Sequence, residues 1–102
     1  MVIKWTPLAL EQLQNFKETS KAELHNIKDY IKSLVVFTNS LLSNSELGKV
    51  MFKLNDIKFR QLLYKKHRII YYIKESEIQI VSIIHTSQNL ERAISILEKY
   101  YR

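Results

Sequence analysis

Side chains able to bind phosphate and to transfer protons are concentrated between Ile57 and His85. The cationic and phenolic members of this stretch that we consider are Lys58, Arg60, Tyr64, Lys66, Arg68 and Tyr72, and a histidine, His85, ends it. Guanidinium and ammonium groups contact phosphate oxygens, and phenol rings stack on bases, which is how single-stranded nucleic acid is commonly held. We therefore predict that these six cationic and phenolic residues contact nucleic acid or another target.

The same stretch suits one reaction that needs neither a metal nor a pair of carboxylates. RNA is cleaved by attack of its own 2′-hydroxyl when a protein aligns that hydroxyl, stabilises the charged phosphorane and protonates the leaving oxygen. Arg68 and Arg60 would supply positive charge, and His85 would supply the acid because histidine titrates near neutral pH. If the protein is an enzyme, we predict that these three residues are catalytic.

Each of these residues also has a purely structural interpretation. Arg68 can cover apolar surface with its stem, the tyrosines can pack within a sheet, and His85 can be satisfied by a neighbouring backbone group. The net charge of +6 and the pI near 9.6 favour nucleic acid, an anionic surface or an acidic protein as partner. Lysines that protect sheet edges against aggregation give the same excess. Charge therefore leaves both interpretations open.

Other kinds of site have no support in the sequence. It contains no glycine-rich phosphate loop, no G-x-S-x-G motif and no pair of catalytic carboxylates. His25, His67 and His85 are too scattered to suggest a metal site, and the absence of cysteine removes disulfides and thiolate ligands. We predict no metal and no cofactor, and we expect a cytoplasmic location.

Three short strands are predicted between Ile57 and His85, because β-branched and aromatic residues recur there and polar breaks interrupt them twice. Side chains alternate between the faces of a strand, so the pairing register decides which residues share a face. A tight turn at Glu75-Ser76 predicts Arg68 opposite Ile83, and a three-residue loop, Lys65-Lys66-His67, places the even-numbered residues of the first strand beside Arg68. The predicted open face then carries Lys58, Arg60, Tyr64, Arg68, Tyr72, Gln79 and His85.

Helical patterns precede the β-rich stretch. Val2 to Trp5 is predicted as a first strand, and Thr6-Pro7 supplies an N-cap and a first helical residue for a helix that ends near Lys17 to Thr19. The capping box Ser20-Lys21-Ala22-Glu23 begins a second helix, whose apolar stripe runs from Leu24 to Leu41. Two such helices form a hairpin that can lay one apolar face on the sheet.

The remaining segments complete a single domain over residues 1–102. Gly48, the only glycine, ends a polar break, and we predict a positive φ there. Val50 to Leu54 is either a short strand or an irregular approach to the sheet, and Leu90 to Tyr101 returns to helical spacing with Asn89 or Ser87 as its cap. The predicted fold is α+β, with an N-terminal strand and a two-helix hairpin packed on a twisted antiparallel sheet and a C-terminal helix. No apolar run approaches the roughly 20 residues of a bilayer span, so no membrane association is expected.

Several short motifs resemble a known family when taken in order. They are Ile3-Lys4-Trp5-Thr6-Pro7, Leu47-Gly48, Arg60-Gln61-Leu62-Leu63-Tyr64, His67-Arg68-Ile69-Ile70-Tyr71 and Ile83-Ile84-His85-Thr86-Ser87-Gln88. Their order and spacing resemble the RelE/ParE superfamily of toxins from bacterial type II toxin–antitoxin modules. The resemblance implies the α+β fold described above. It also implies a cognate antitoxin whose acidic or amphipathic C-terminal segment wraps the toxin and neutralises it.

Two activities within this superfamily lead to different expectations. RelE-like members cut mRNA in the ribosomal A site, whereas ParE-like members inhibit DNA gyrase without being nucleases. Arg68 matches the arginine that RelE-like nucleases use on phosphate. Those nucleases usually carry an additional arginine, or a histidine and a tyrosine, just after the last strand, and Thr86 to Asn89 offer no arginine there. The resemblance therefore implies first a ParE-like inhibitor of gyrase, second a ribosome-dependent endoribonuclease, and third an inactive antitoxin-binding subunit.

Overall fold

One five-stranded sheet organises the fold, and the computed structural model describes residues 1–16 and 24–101. The strands lie in the order β1-β5-β4-β3-β2, and β2 to β5 pair antiparallel while β1 pairs parallel with β5. The strands are β1 (Val2–Trp5), β2 (Lys49–Leu54), β3 (Ile57–Tyr64), β4 (His67–Lys74) and β5 (Glu77–His85). The helices are α1 (Pro7–Asn15), α2 (Leu24–Thr38), followed by a 3₁₀ turn (Asn39–Leu42), and α3 (Leu90–Tyr101).

Helices pack on both faces of this sheet, and each face has its own apolar core. On the hairpin face, Ala9 and Leu13 of α1 and Leu34 of α2 pack with buried residues that include Ile69, Tyr71, Ile78, Ile80 and Ile83. On the α3 face, Leu97 packs with Phe59, Ile70, Val81 and Ile84. The predicted α+β fold, with its helical hairpin and its C-terminal helix, is confirmed.

Beyond the end of β1, the edge of β5 makes hydrogen bonds with α1 and with Thr6, the residue before it. Thr6 caps α1 by accepting from the Ala9 N–H at 3.3 Å, and its hydroxyl donates to the Val81 carbonyl. One turn further on, the side-chain oxygen of Gln12 accepts from the Ile83 N–H at 2.7 Å. An uncovered strand edge exposes backbone groups that recruit other chains. The α1 segment therefore satisfies the edge of β5 within the domain.

Two details of strand pairing differ from the predicted register. The β3–β4 connection is a two-residue turn, because Tyr64 pairs with His67 directly, so the predicted three-residue loop is wrong. The pairing of β4 with β5 starts as predicted but shifts between Ile70 and Tyr71, where β5 carries one additional residue, Val81. A bulge of this kind reverses the alternation of every residue beyond it.

Gly48 has a structural role that does not involve a positive φ, so that prediction is wrong. Its N–H donates to the Tyr71 hydroxyl at 2.8 Å, and the same hydroxyl donates to the Ser45 carbonyl at 2.8 Å. A Cβ added at Gly48 would lie 2.7 Å from the Gln61 carbonyl oxygen and 2.7 Å from a carbon of the Tyr71 ring. Glycine is required here because the backbone passes directly over the buried phenol.

The other element predictions agree with the structure wherever it describes the chain. Residues 49–54 form a strand rather than an irregular segment, and α2 changes to a 3₁₀ turn in its last predicted part. Asn89 caps α3 by accepting from the Arg92 N–H at 3.2 Å. The predicted end of the first helix near Lys17 to Thr19 and the capping box Ser20 to Glu23 lie outside the described residues. Within the described residues, no helix is long and apolar enough to cross a membrane.

We predict that Gly48→Ala lowers the free energy of unfolding by about 1–3 kcal/mol, the usual cost of overpacking a closely packed site. The added methyl group meets a backbone carbonyl and a buried ring that cannot both move away. Chemical denaturation monitored by circular dichroism measures the change. Ser43→Ala, at an exposed position of the same connection, is the control and should leave stability within about 0.5 kcal/mol. Equal stability of the two variants would contradict this role for Gly48.

Candidate target-binding site

The β3–β4 turn and the end of β5 meet at one end of the sheet. His67 pairs with His85, and the Thr86 N–H donates to the Lys66 carbonyl at 2.8 Å. Lys65 and Lys66, both exposed, form the turn itself. Three of the six predicted target-binding residues, Tyr64, Lys66 and Arg68, therefore lie within or beside one basic turn, next to His85.

The predicted open face does not exist as one surface. The two-residue turn places Arg60 and Tyr64 on the hairpin face, where they pair with Tyr71 and His67. By strand alternation Lys58 lies on that face too. The bulge at Val81 turns His85 to the same side, so Arg68 pairs with Ile84 instead of Ile83. Arg68 and Tyr72 remain on the α3 face, and the predicted grouping of all these residues is wrong.

Arg68 is half-buried at the start of β4. Its terminal nitrogen donates to the side-chain oxygen of Gln61 at 2.7 Å, and its Nε is buried with no hydrogen-bond partner in the described part of the chain. Leu63, its neighbour on β3, is 56% exposed. A half-buried guanidinium group beside an exposed leucine can donate hydrogen bonds from its terminal nitrogens to an acidic or carbonyl group of a partner.

Arg60, by contrast, is used within the protein. Its guanidinium donates to the Gly48 carbonyl at 2.9 Å and to the Glu46 carbonyl at 3.3 Å, and the Glu46 carboxylate lies 3.9 Å away. Its side chain is only 15% exposed. These contacts hold the connection before β2 against β3. The geometry therefore gives Arg60 a structural role.

The two predicted stacking tyrosines pack against other rings. Tyr72 makes edge contacts with Phe59 and Tyr101, at centroid distances of 5.5 and 5.6 Å, and these anchor the end of α3. Burial raises the pKa of the Tyr101 phenol to about 12. The Tyr64 ring packs on the Phe37 ring, with 4.8 Å between their centroids. The Lys65 ammonium nitrogen lies 5.4 Å from the centroid of the Tyr64 ring. Both tyrosines therefore contribute to packing as the alternative interpretation predicted.

His67 has surroundings that the sequence analysis did not anticipate. Its Nδ1 lies 2.6 Å from the Tyr30 hydroxyl oxygen. The centroid of its ring lies 4.3 Å from that of the Phe16 ring and 5.2 Å from that of the His85 ring. Burial, and then the neighbouring His85, lower the pKa of His67 to about 4. A correct register would have revealed this pair, because the two histidines begin β4 and end β5 at paired positions.

His85 is held by the backbone that follows it. Its Nδ1 accepts from the Ser87 N–H at 3.0 Å and lies 2.7 Å from the Ser87 hydroxyl. A backbone N–H can only donate, so the neutral ring carries its proton on Nε2. The described residues contain no group of three or more histidine, cysteine or acidic side chains able to hold a metal.

The family described as ParE toxin of type II toxin-antitoxin system, parDE, matches residues 3–90. The chain is similar to a structure described as the chromosomal ParDE TA system from P. aeruginosa, with a TM-score of 0.66 and 18% identity, over 83% of this chain and 95% of that chain. It is also similar to the YoeB dimer from Staphylococcus aureus, with a TM-score of 0.54 and 22% identity, over 80% of this chain and 92% of that chain. At these identities the two structures show a shared fold. No curated protein matches the sequence.

We predict that the free energy of unfolding is greatest above about pH 6.5 and decreases as the pH is lowered towards about 4. The unfolded chain binds a proton at His67 near pH 6.5, whereas the folded protein binds it only near pH 4. Denaturation across this range measures the loss, and NMR titration of the His67 ring measures its pKa. His67→Gln should flatten the pH dependence in this window. A His67 that titrates at its ordinary pKa in the folded protein would contradict the prediction.

Proposed function

Because the chain belongs to the ParE toxin family of type II toxin–antitoxin systems, we propose that it arrests bacterial growth by acting on DNA gyrase. A protein of this family is a toxin, and an antitoxin is its partner protein. Gyrase as the target follows from the resemblance to ParE-like members. A target of this kind lies in the cytoplasm, which is where we propose that the toxin acts.

The observation that carries this proposal is the separation of Arg68 from His85. Cleavage of RNA requires a charge-stabilising group and a proton donor around the same phosphate. Here the two side chains leave opposite faces of the sheet, because Arg68 pairs with Ile84 while His85 pairs with His67. The third candidate, Arg60, is engaged by Glu46 and Gly48. This arrangement supports binding of a target over cleavage of one.

The surface around Arg68 has the features of a protein-binding site. Arginine is enriched among the residues that dominate binding energy, and such residues sit beside apolar neighbours that exclude water. Arg68 is half-buried, and Leu63 beside it is exposed. The exposed turn Lys65-Lys66, directly before β4, adds positive charge, which speeds association with an acidic partner.

A second candidate function, ribosome-dependent cleavage of mRNA, is favoured by a different observation. Tyr64 and His85 share the hairpin face at the basic turn Lys65-Lys66. Cationic groups beside a phenol and an imidazole are suited to hold an RNA phosphate and to move a proton. In this alternative His85 is the acid and Arg68 contributes only to binding. An inactive antitoxin-binding subunit is the third possibility.

Two assays on the same protein separate these functions. We expect the purified toxin to reduce DNA supercoiling by gyrase in a concentration-dependent manner, and we expect primer extension on mRNA from arrested cells to show no codon-phased cuts. Codon-phased cuts without an effect on gyrase would reverse the order of the two proposals. A well-folded protein that shows neither effect and does not arrest growth would leave only the antitoxin-binding role.

We predict that Arg68→Ala weakens growth arrest without unfolding the protein. Loss of an arginine that dominates an interface costs about 2 kcal/mol or more of binding energy, which is about thirty-fold in affinity. The measurement is colony survival after induction, with circular dichroism as the check of folding. Arg92→Ala removes the same charge at an exposed position of α3 and is the matched control. Undiminished arrest by a folded Arg68→Ala variant would rule out this role.

A further inference from the structure

A cavity lies between α1 and the end of β5. Its volume is about 340 Å³, and the residues that bear on the argument are Gln12 and Phe16 of the α1 segment, Ile83 and His85 of β5, and Gln88 beyond it. The proposed action on gyrase does not use it, and cleavage of mRNA would use only one residue of its lining, His85. Its polar lining is unusual because neighbouring backbone groups determine which atom of each side chain remains available.

Two glutamine side chains in this lining are oriented by backbone donors. The Gln12 oxygen accepts from the Ile83 N–H at 2.7 Å and from the Ser82 hydroxyl at 3.1 Å. The Gln88 oxygen accepts from the His85 N–H at 2.8 Å. Because a backbone N–H can only donate, each amide must turn its oxygen to the backbone. Both amide nitrogens are left as donors without a partner among the described residues.

His85 adds a third donor to the same cavity. Its Nδ1 faces the Ser87 N–H at 3.0 Å, so the neutral imidazole presents Nε2–H. Among the described residues, the cavity lining contains no carboxylate. The hydrogen bond from Thr86 N–H to the Lys66 carbonyl places the basic turn Lys65-Lys66 beside the end of β5. The lining therefore offers fixed donors, with positive charge nearby.

We propose that this cavity binds an oxyanion, a phosphate or carboxylate group, through the amide nitrogens of Gln12 and Gln88 and the Nε2–H of His85. Donors that are already oriented need no rearrangement to receive such a group, and hydrogen bonds to an anion are the stronger kind. Phe16 and Ile83 provide an apolar wall for the part of the ligand that carries it. The proposal does not require that gyrase is the target of the toxin.

The test is an NMR titration of the full-length purified protein with inorganic phosphate and, separately, with acetate, each against sodium chloride at matched ionic strength. We expect saturable shifts of the Gln88 and Gln12 side-chain amides and of the His85 ring with at least one of the two anions. The anion that binds identifies the chemical source of the ligand group. Shifts no larger than those in chloride, for both anions, would overturn the proposal.

A glutamine-to-glutamate exchange sharpens this test. Gln88→Glu keeps an oxygen to accept from the His85 N–H but replaces the free donor with a negatively charged acceptor. Binding should weaken by at least about tenfold, since a charge-assisted hydrogen bond becomes a repulsion. Gln14→Glu makes the same charge change at an exposed position of α1 outside the cavity and should bind as the unchanged protein does. Gln12→Glu makes the same exchange at the second glutamine of the cavity and should weaken anion binding in the same way. Equal anion binding by Gln88→Glu and Gln14→Glu would overturn the proposal.

Discussion

The register of β4 against β5 determines on which face of the sheet His85 lies relative to Arg68. The two strands pair regularly from their turn up to Tyr71 and Ile80, and β5 then carries Val81 with no partner before pairing resumes at Ser82. One added residue reverses which face each later residue occupies. Ile80 and Ile83 consequently both pack under the helical hairpin, and Val81 and Ile84 both pack beneath α3.

The bulge is stabilised from both sides. Val81 is almost fully buried in the core beneath α3, and its carbonyl accepts from the Thr6 hydroxyl. Gln12 then accepts from the Ser82 hydroxyl and the Ile83 N–H, so the backbone that the bulge displaces from regular pairing is satisfied by α1. A buried polar group without a partner is costly, and these contacts remove that cost here. The N-terminal segment thus sets the geometry of the far end of the sheet.

Local features of the fold could be predicted because short-range chemistry specifies them. Thr6-Pro7 starts α1 as its cap and proline require, Asn89 caps α3, and the strand breaks fall at Lys65-Lys66 and Glu75-Ser76. Which residues share a face of the sheet could not be predicted, because the length of the β3–β4 turn and the position of the bulge are determined by packing between distant segments. Arg60 shows the same limit. Its residue type and its position suggested contact with a target. The carbonyls to which it donates, those of Glu46 and Gly48, belong to the connection before β2, and no local sequence pattern predicts the path of that connection.

The division of functional groups between two faces bears on what this toxin can do. The α3 face presents Arg68 beside the exposed Leu63, a combination suited to contact with a protein surface. The hairpin face presents His85, whose ring is oriented by Ser87 and adjoins the cavity beside Gln12 and Gln88. A single phosphate bound by both Arg68 and His85 would require one of these side chains to cross the sheet. Binding at two separate surfaces requires no such rearrangement, which supports the proposal that this toxin acts by occupying its target.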